Sequence, residues 1–475
     1  MRVFLIFFVC ILVFGISVFG GFVQDDRRII LADTSLGRWE NLVNDWVSPY
    51  YKNDPGSGAY RPLTSISFSL DTLIFGKEAW GYRLMNVLYY SLVVIGVYRL
   101  ILLISKNEKY SFWTALVFTV LPIHSEAVSN IVGRGEILSG GLVILMIILA
   151  MEKRWEGSVL VYILALLAKE SAILWVVPLI YLIHISQERK DLKVGVVMTL
   201  MIGLIGYFVL RWGVLGAGIF ADQATMVENP LKFVSWWQRV MAGIGTVAFG
   251  VGKTLFPIRL SYDYSYNQLE VGSLTSLWFG LGVIIIGASV FLMRIKDRVI
   301  AWGWLFFWLP LLVTGNILKP IGTIFGERLW FLPSLGVVMI LVWTVKKIKR
   351  WWVGVFLAIL VVVFGVRTIV RNIDWLGEDR LFIVDGKYAL GSVLAQSNAA
   401  AMYIKQNKLD LAFEYLEKAE AIYPTYPELM NNWGVYYWRK GDVKSAREKF
   451  EECLDTHQDN ALCRSNLDDL KESIR

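Results

Sequence analysis

With 56% hydrophobic residues, only 18% charged ones and a mean hydropathy of +0.52, this 475-residue chain is not a string of soluble domains, which carry about 25% charged residues. It reads as a polytopic membrane protein with a soluble part. The net charge of +7 falls in loops between apolar runs, and no basic stripe interleaved with aromatics argues for nucleic acid as a partner.

A spanning helix takes about 20 mostly apolar residues, fewer where neighbours shield it. The first run, near 3–20, is kept as a span because no small-x-small cleavage pattern follows it. Further spans are predicted near 83–104, 111–125, 136–151, 158–168, 171–186, 194–211, 273–293, 299–316, 329–346 and 351–369. Lys169-Glu170 splits one pair into two short helices that meet at a polar junction. The stretch from Trp236 to Phe256 is only moderately apolar. It is predicted to be an interfacial or re-entrant helix, because a full crossing would carry every later basic loop outside.

Five basic loops set the orientation: Lys106/Lys109, Lys153/Arg154, Arg189/Lys190/Lys193, Arg294/Lys296/Arg298 and Lys346/Lys347/Lys349/Arg350. By the positive-inside rule they are cytoplasmic, and so is the N-terminus. The count is about eleven spans. Loop 21–82, segment 124–135, the Lys169-Glu170 junction, loops 212–272 and 317–328 and everything after residue 369 then face the other side.

The tail changes character near Ser392. Ser397–Tyr426 aligns with Asn431–Asn460 at a shift of 34 residues, with Trp433-Gly434…Tyr437, Gly441-Asp442 and Ala446…Phe450. That period and pattern are the tetratricopeptide signature. The domain division is therefore a transmembrane unit over 1–391 and a repeat unit over 392–475, two repeats plus a cap. The expected fold class is all-α. Cys10, Cys453 and Cys463 have no metal-site spacing, and the last two could pair as a disulfide if the tail is extracytoplasmic.

The unusual polar residues collect on the predicted outer side. They are Asp25-Asp26, Tyr60-Arg61-Pro62-Leu63-Thr64, His124-Ser125-Glu126, Arg134-Gly135-Glu136, Lys169-Glu170, Ser261-Tyr262-Asp263-Tyr264 and Glu327-Arg328. One alone at a span end is ordinarily a snorkelling or solvated group. Clusters on one membrane face converge on a single cavity of mixed charge. Carboxylates there can act as a general base on a hydroxyl, and arginines can grip a phosphate bidentately. A sugar carried on a lipid phosphate needs both.

In order along the chain, Phe22-Val23-Gln24-Asp25-Asp26, Tyr60-Arg61-Pro62-Leu63-Thr64, Pro122-Ile123-His124-Ser125-Glu126 with Gly133-Arg134-Gly135-Glu136, Leu167-Ala168-Lys169-Glu170, Leu255-Phe256-Pro257…Leu260-Ser261-Tyr262-Asp263, Glu327-Arg328-Leu329…Leu332-Pro333-Ser334 and Arg367…Asp374-Trp375…Glu378 resemble one family. It is the transmembrane and tetratricopeptide-repeat-containing O-mannosyltransferases with their prokaryotic relatives. The resemblance implies a GT-C glycosyltransferase, inverting, using a polyprenyl- or dolichyl-phosphate sugar on the extracytoplasmic face. It implies Asp25 as base with Asp26 beside it, and Arg61, Arg134, Lys169 and Arg328 on the donor phosphate. His124, Glu126, Glu136, Glu170, Asp263 and Glu327 are the further candidates. One departure is that His124 follows Leu121-Pro122 where many relatives have His-Pro. The resemblance fixes no cofactor and leaves a divalent metal (Mg or Mn) open, since some GT-C relatives hold one through paired acids. The implied partners are the lipid-linked sugar, membrane lipid and a protein acceptor or partner at the repeats. The implied address is the cytoplasmic membrane, or the endoplasmic reticulum in a eukaryote. The alternatives are transfer to a lipid or glycan, and a non-catalytic scaffold whose repeats bind proteins. A transporter is disfavoured because the membrane part shows no internal duplication.

Overall fold

The computed structural model describes residues 1–52, 58–220, 224–345 and 350–474, and among them there is helix but no strand. The basic Lys346, Lys347 and Lys349 and parts of the loops 21–82 and 212–272 lie outside the described residues.

The chain opens with α1 (Arg2–Phe14), extended by a 3₁₀ segment to Phe19. The first long loop holds a π turn (Arg27–Leu31) and the short α2 (Asn41–Asp45). Next come α3 (Pro62–Phe75), with proline where the missing N–H costs nothing, and the 27-residue α4 (Ala79–Ser105). In α5 (Glu108–Thr119) the Asn107 side chain caps the N-terminus by accepting from the N–H groups of Lys109 and Tyr110. The chain then bends by 54° at Pro122 into α6 (Ser125–Ser129). Proline disfavours the helical region for the residue before it, so the break falls there. The remaining helices of this unit are α7 (Arg134–Met151), α8 (Trp155–Ala168), α9 (Val176–Ile185), α10 (Lys190–Leu215), α11 (Trp236–Leu255), α12 (Val271–Thr275), α13 (Leu277–Met293), α14 (Arg298–Thr314), α15 (Phe331–Val345) and α16 (Arg350–Asp374).

Among the described residues, seven helical segments are long and apolar enough to cross a membrane, or eight if the bent α5–α6 pair is one span. The expected spans at 158–168, 171–186 and 299–316 are shorter apolar helices, α8, the 3₁₀–α9 unit and α14. The protein is thus a multi-pass membrane protein by the length and composition of its helices. Its outer surface agrees. α10 exposes Met198, Ile202, Ile205 and Val209, and α16 exposes Val355, Ile359, Val362, Val363 and Val366. Both sets recur at helical spacing, so each helix turns one apolar stripe outward, as a hydrocarbon solvent requires. The stretch expected to be interfacial, α11, is a full 20-residue helix with a Ser235–Gln238 capping box and packs along α13.

The tail consists of α17 (Glu378–Tyr388), α18 (Val393–Lys405), α19 (Leu409–Ile422), α20 (Pro427–Arg439), α21 (Val443–Thr456) and α22 (Ala461–Ile474). Hairpins α18–α19 and α20–α21 begin 34 residues apart, at Val393 and Pro427. α17, which precedes the expected boundary at 392, packs on α18, where the Gln396 amide donates to the Gly386 and Ala389 carbonyls at 2.7 and 3.0 Å. Cys453 and Cys463 form a disulfide between α21 and α22. Equivalent asparagines stitch the layers. Asn466 donates to Asn431, Asn432 to Ser397, and Asn398 to the Tyr262 hydroxyl. At the first rung, loop 256–270 of the membrane unit therefore stands where a preceding repeat would. Arg371 of α16 secures the same joint with a buried two-pronged pair to Asp385 of α17, at 2.7 and 3.0 Å.

Candidate functional site

Two adjacent acids are separated by one backbone turn. Gln24 adopts φ 48°, a left-handed conformation that few residues other than glycine take. Its N–H is held by the Glu378 carboxylate at 3.2 Å. After this turn Asp25 lines a cavity of about 820 Å³, whereas Asp26 is fully buried. The Asp26 oxygens accept the backbone N–H groups of Val23 and Val132, both at 3.1 Å. Burial pushes its pKa up to about 7, against the opposing charge of Arg83 and those two donors. Asp25 makes no hydrogen bond or ion pair among the described residues.

Six of the expected site residues line the cavity: Asp25, Arg61, Lys169, Glu170, Asp263 and Arg328. Arg61 stands at the start of α3 and is gripped by Glu170 through Nε and Nη2, at 3.0 and 2.6 Å, with its guanidinium over the Tyr50 ring. Lys169, at the broken junction after α8, is paired with Glu136. Arg328 is paired with Glu126, which accepts from Nη1 at 2.5 Å and from the Arg328 backbone N–H at 2.9 Å. Each cation is therefore positioned by a carboxylate brought from another part of the chain. Asp263 accepts from the hydroxyls of Ser265 and Ser392, and burial raises its pKa. It ties the repeat unit to the cavity rim.

The other six do not line the cavity. Glu126 and Glu136 act behind it, on Arg328 and Lys169. Arg134, expected on the donor phosphate, is instead fully buried. It is paired with Asp71 at 2.6 Å, bonded to Asn86 and the Tyr82 carbonyl, and packed on Phe68. His124 is also fully buried, between the Tyr90 hydroxyl and Ser334 Oγ, both at 2.8 Å, and against Phe118 and Phe331. Glu327 accepts the Ser261 N–H at 2.8 Å and the Tyr264 hydroxyl at 2.5 Å, holding the loop on which the repeats stand. Asp26 has both oxygens on backbone donors, so the acid pair does not converge on one point as metal ligands would. Among the described residues no group of three or more His, Cys, Asp or Glu gathers around a possible ion.

The cavity also takes residues that the sequence reading passed over. Arg28, Arg211 and Lys319 add cations, Glu228 adds an acid, and Tyr51, Phe382, Leu394 and Asn398 add neutral surface beside Tyr262 of the Ser261–Tyr264 motif. Arg211 ends the apolar run of α10, so it reads as an ordinary snorkelling residue, yet its Nη2 donates to the Gly58 carbonyl at 2.7 Å. Lys319 sat in a loop already placed on the outer side and could have been singled out. Asn398 had only its place in the repeat to mark it. In all, six basic and four acidic side chains face the cavity, a surface suited to an anion with an acid at its edge.

Comparison with known proteins finds similarity over most of the chain. It is 23% identical over 490 residues to human protein O-mannosyl-transferase TMTC1, covering 89% of this chain and 55% of that protein. It is 24% identical over 432 residues to protein O-mannosyl-transferase F38B6.6 of Caenorhabditis elegans, covering 83% and 61%. Drosophila melanogaster protein O-mannosyl-transferase Tmtc1 is 26% identical over 501 residues, covering 81% and 58%. The chain spans about half the length of the curated relatives it matches. No protein-family model matches it, and no solved structure matches it. The resemblance carried by the ordered motifs thus extends over the whole alignment, at the distance of a remote relative.

Proposed function

We propose that the protein is an integral membrane, inverting glycosyltransferase. It moves a hexose, mannose in the first instance, from a polyprenyl-phosphate donor to a Ser or Thr hydroxyl of a protein on the extracytoplasmic face. The observation that carries this reading is Asp25, unpaired among the described residues, in one cavity with three cations each held by its own carboxylate. The names of the relatives supply the sugar and the acceptor class. The disulfide in the tail supports an extracytoplasmic face, since such bonds persist in oxidising compartments.

In this mechanism Arg61, Lys169 and Arg328 receive the donor phosphate. Asp25 takes the proton of the acceptor hydroxyl as its oxygen attacks the anomeric carbon from the face opposite the phosphate. The new C–O bond forms, the bond from the sugar to the phosphate oxygen breaks, and configuration inverts. The three cations stabilise the charge that develops on the departing lipid phosphate. Their counter-acids fix them before the reaction, so little reorganisation is needed when the charge moves. No step is routed through a metal, because the Asp25–Asp26 pair does not present two free carboxylates to one ion.

The test is reconstitution in liposomes with a panel of radiolabelled polyprenyl-phosphate sugars. Wild-type protein is expected to place label on protein rather than in the lipid extract. Asp25→Asn is expected to lose at least about a hundredfold in turnover, the usual share of a general base. Near-wild-type turnover by Asp25→Asn would reject the base assignment, and lipid-extractable product would reject the acceptor class.

A further inference from the structure

The cavity has two chemically distinct sides. One carries the cations of the membrane unit. The other is built where the tail meets loop 256–270, and there Tyr262, Phe382, Leu394 and Asn398 form an uncharged patch beside the Asp263 carboxylate. Leu394 and Asn398 are one helical turn apart on α18, so they share a face. The Tyr262 ring packs on Phe382 with centroids 5.1 Å apart, and Val23, two residues before Asp25, packs in the same apolar cluster. The uncharged patch is therefore continuous with the segment that presents Asp25.

Its polar groups have a specific complement. The Asn398 amide N–H donates to the Tyr262 hydroxyl oxygen at 2.9 Å. The Asn398 amide oxygen accepts nothing among the described residues, and the Tyr262 O–H proton is still available to donate. The pair thus offers one acceptor and one donor side by side, and this remains true if the amide is turned over. A main-chain peptide unit offers the matching donor and acceptor. A phosphate, which only accepts, would leave the amide oxygen unpaired, and the same cavity already offers it Arg61, Lys169 and Arg328.

We infer that Tyr262, Leu394 and Asn398 form the subsite for the polypeptide acceptor, with Tyr262 and Asn398 bonding its main chain beside the reacting hydroxyl. The inference rests on the proposed transfer reaction and adds where the acceptor lies. The repeat unit then supplies part of the reaction chamber itself, through its first inner helix.

The experiment is steady-state kinetics of the full chain in liposomes with a Ser/Thr peptide that the wild type glycosylates, varying peptide and donor separately. Asn398→Ala and Tyr262→Phe are each expected to raise the peptide KM by about tenfold, the loss of one hydrogen bond, with the donor KM changed less than twofold. Leu394→Arg, a change at a partly exposed position that leaves the stitching bonds intact, is expected to raise the peptide KM by a similar factor and serves if the other variants fold poorly. A peptide KM within twofold of wild type in all three overturns the subsite, as does an equal rise in donor KM. Absence of transfer by the wild type itself would instead remove the proposed reaction on which the subsite depends.

Discussion

Between Gln24 and Arg27 the chain turns one carboxylate into the cavity and the next into the interior, and the two acquire opposite chemistry. Asp25 lines the cavity with its oxygens in no hydrogen bond or ion pair among the described residues. Asp26 spends its oxygens on the N–H groups of Val23 and Val132, and so joins the first loop to the turn before α7. Burial raises the Asp26 pKa from the model-peptide value of 3.8 to about 7, so the folded state holds its proton more tightly than the unfolded chain does. The stability linked to this group is complete below pH about 4 and is lost as pH rises through about 7. The expected outcome is that the stability advantage of wild type over Asp26→Asn, followed by unfolding in detergent across pH 4–8, shrinks on going up in pH and levels off above about 7. A span of about three pH units corresponds to roughly 4 kcal/mol at most. A flat difference curve would mean that Asp26 stays ionised in the fold and that Arg83 and the two N–H donors outweigh its burial.

At the scale of helices, close approach depends on small residues. A Cβ on Gly336 of α15 would lie 2.4 Å from the Gly303 carbonyl oxygen and 2.6 Å from the Phe307 nitrogen of α14. Both obstacles are backbone and cannot step aside. Gly336→Val is therefore expected to force the two helices apart and lower stability by about 1–3 kcal/mol, the usual cost of overpacking, read as a drop in Tm of the detergent-solubilised protein. An unchanged Tm would show that the pair can separate freely. The helices themselves were legible in the sequence, because apolar runs and the 34-residue period are local patterns. The α5–α6 bend announces itself in Pro122. What was not legible is which polar residue faces the cavity. Arg61 and Arg134 both stand just outside an apolar run. One meets Glu170, 109 positions away, at the cavity wall. The other meets Asp71 inside the protein. Glu126 finds Arg328 across 202 positions. Such pairings arise from helix packing and leave no periodic trace. For the same reason His124, an obvious candidate by type, is a core residue bonded to Tyr90 and Ser334, while Asn398 entered the cavity unannounced.

For the molecule as a whole, the decisive question is which side of the membrane holds the cavity and tail together. The tail is not a tethered appendage. Val393 donates to the Tyr266 carbonyl at 3.0 Å, Asn267 to the Gly391 carbonyl at 2.7 Å, and Asp385 receives both Arg371 and the Tyr262 N–H. The wall bearing Tyr262 and Asn398 exists only because of that joint, so cavity and repeats must share one compartment. The proposed reaction needs that compartment to be extracytoplasmic, which is the side the positive-inside rule predicts from the basic loops and the side a Cys453–Cys463 disulfide favours. The remaining cysteine, Cys10, is buried, so a single new thiol in the tail can be addressed selectively. Glu448 on α21 is exposed and makes only a loose surface pair with Lys444, at 3.9 Å. In intact cells, Glu448→Cys is expected to react with a membrane-impermeant maleimide without permeabilisation, to the same extent as after it. Labelling only after permeabilisation would put the tail in the cytoplasm. Because the joint ties the cavity to the tail, that one result would also move Asp25 and its cations inside. An extracytoplasmic lipid-linked donor would then be unable to reach them.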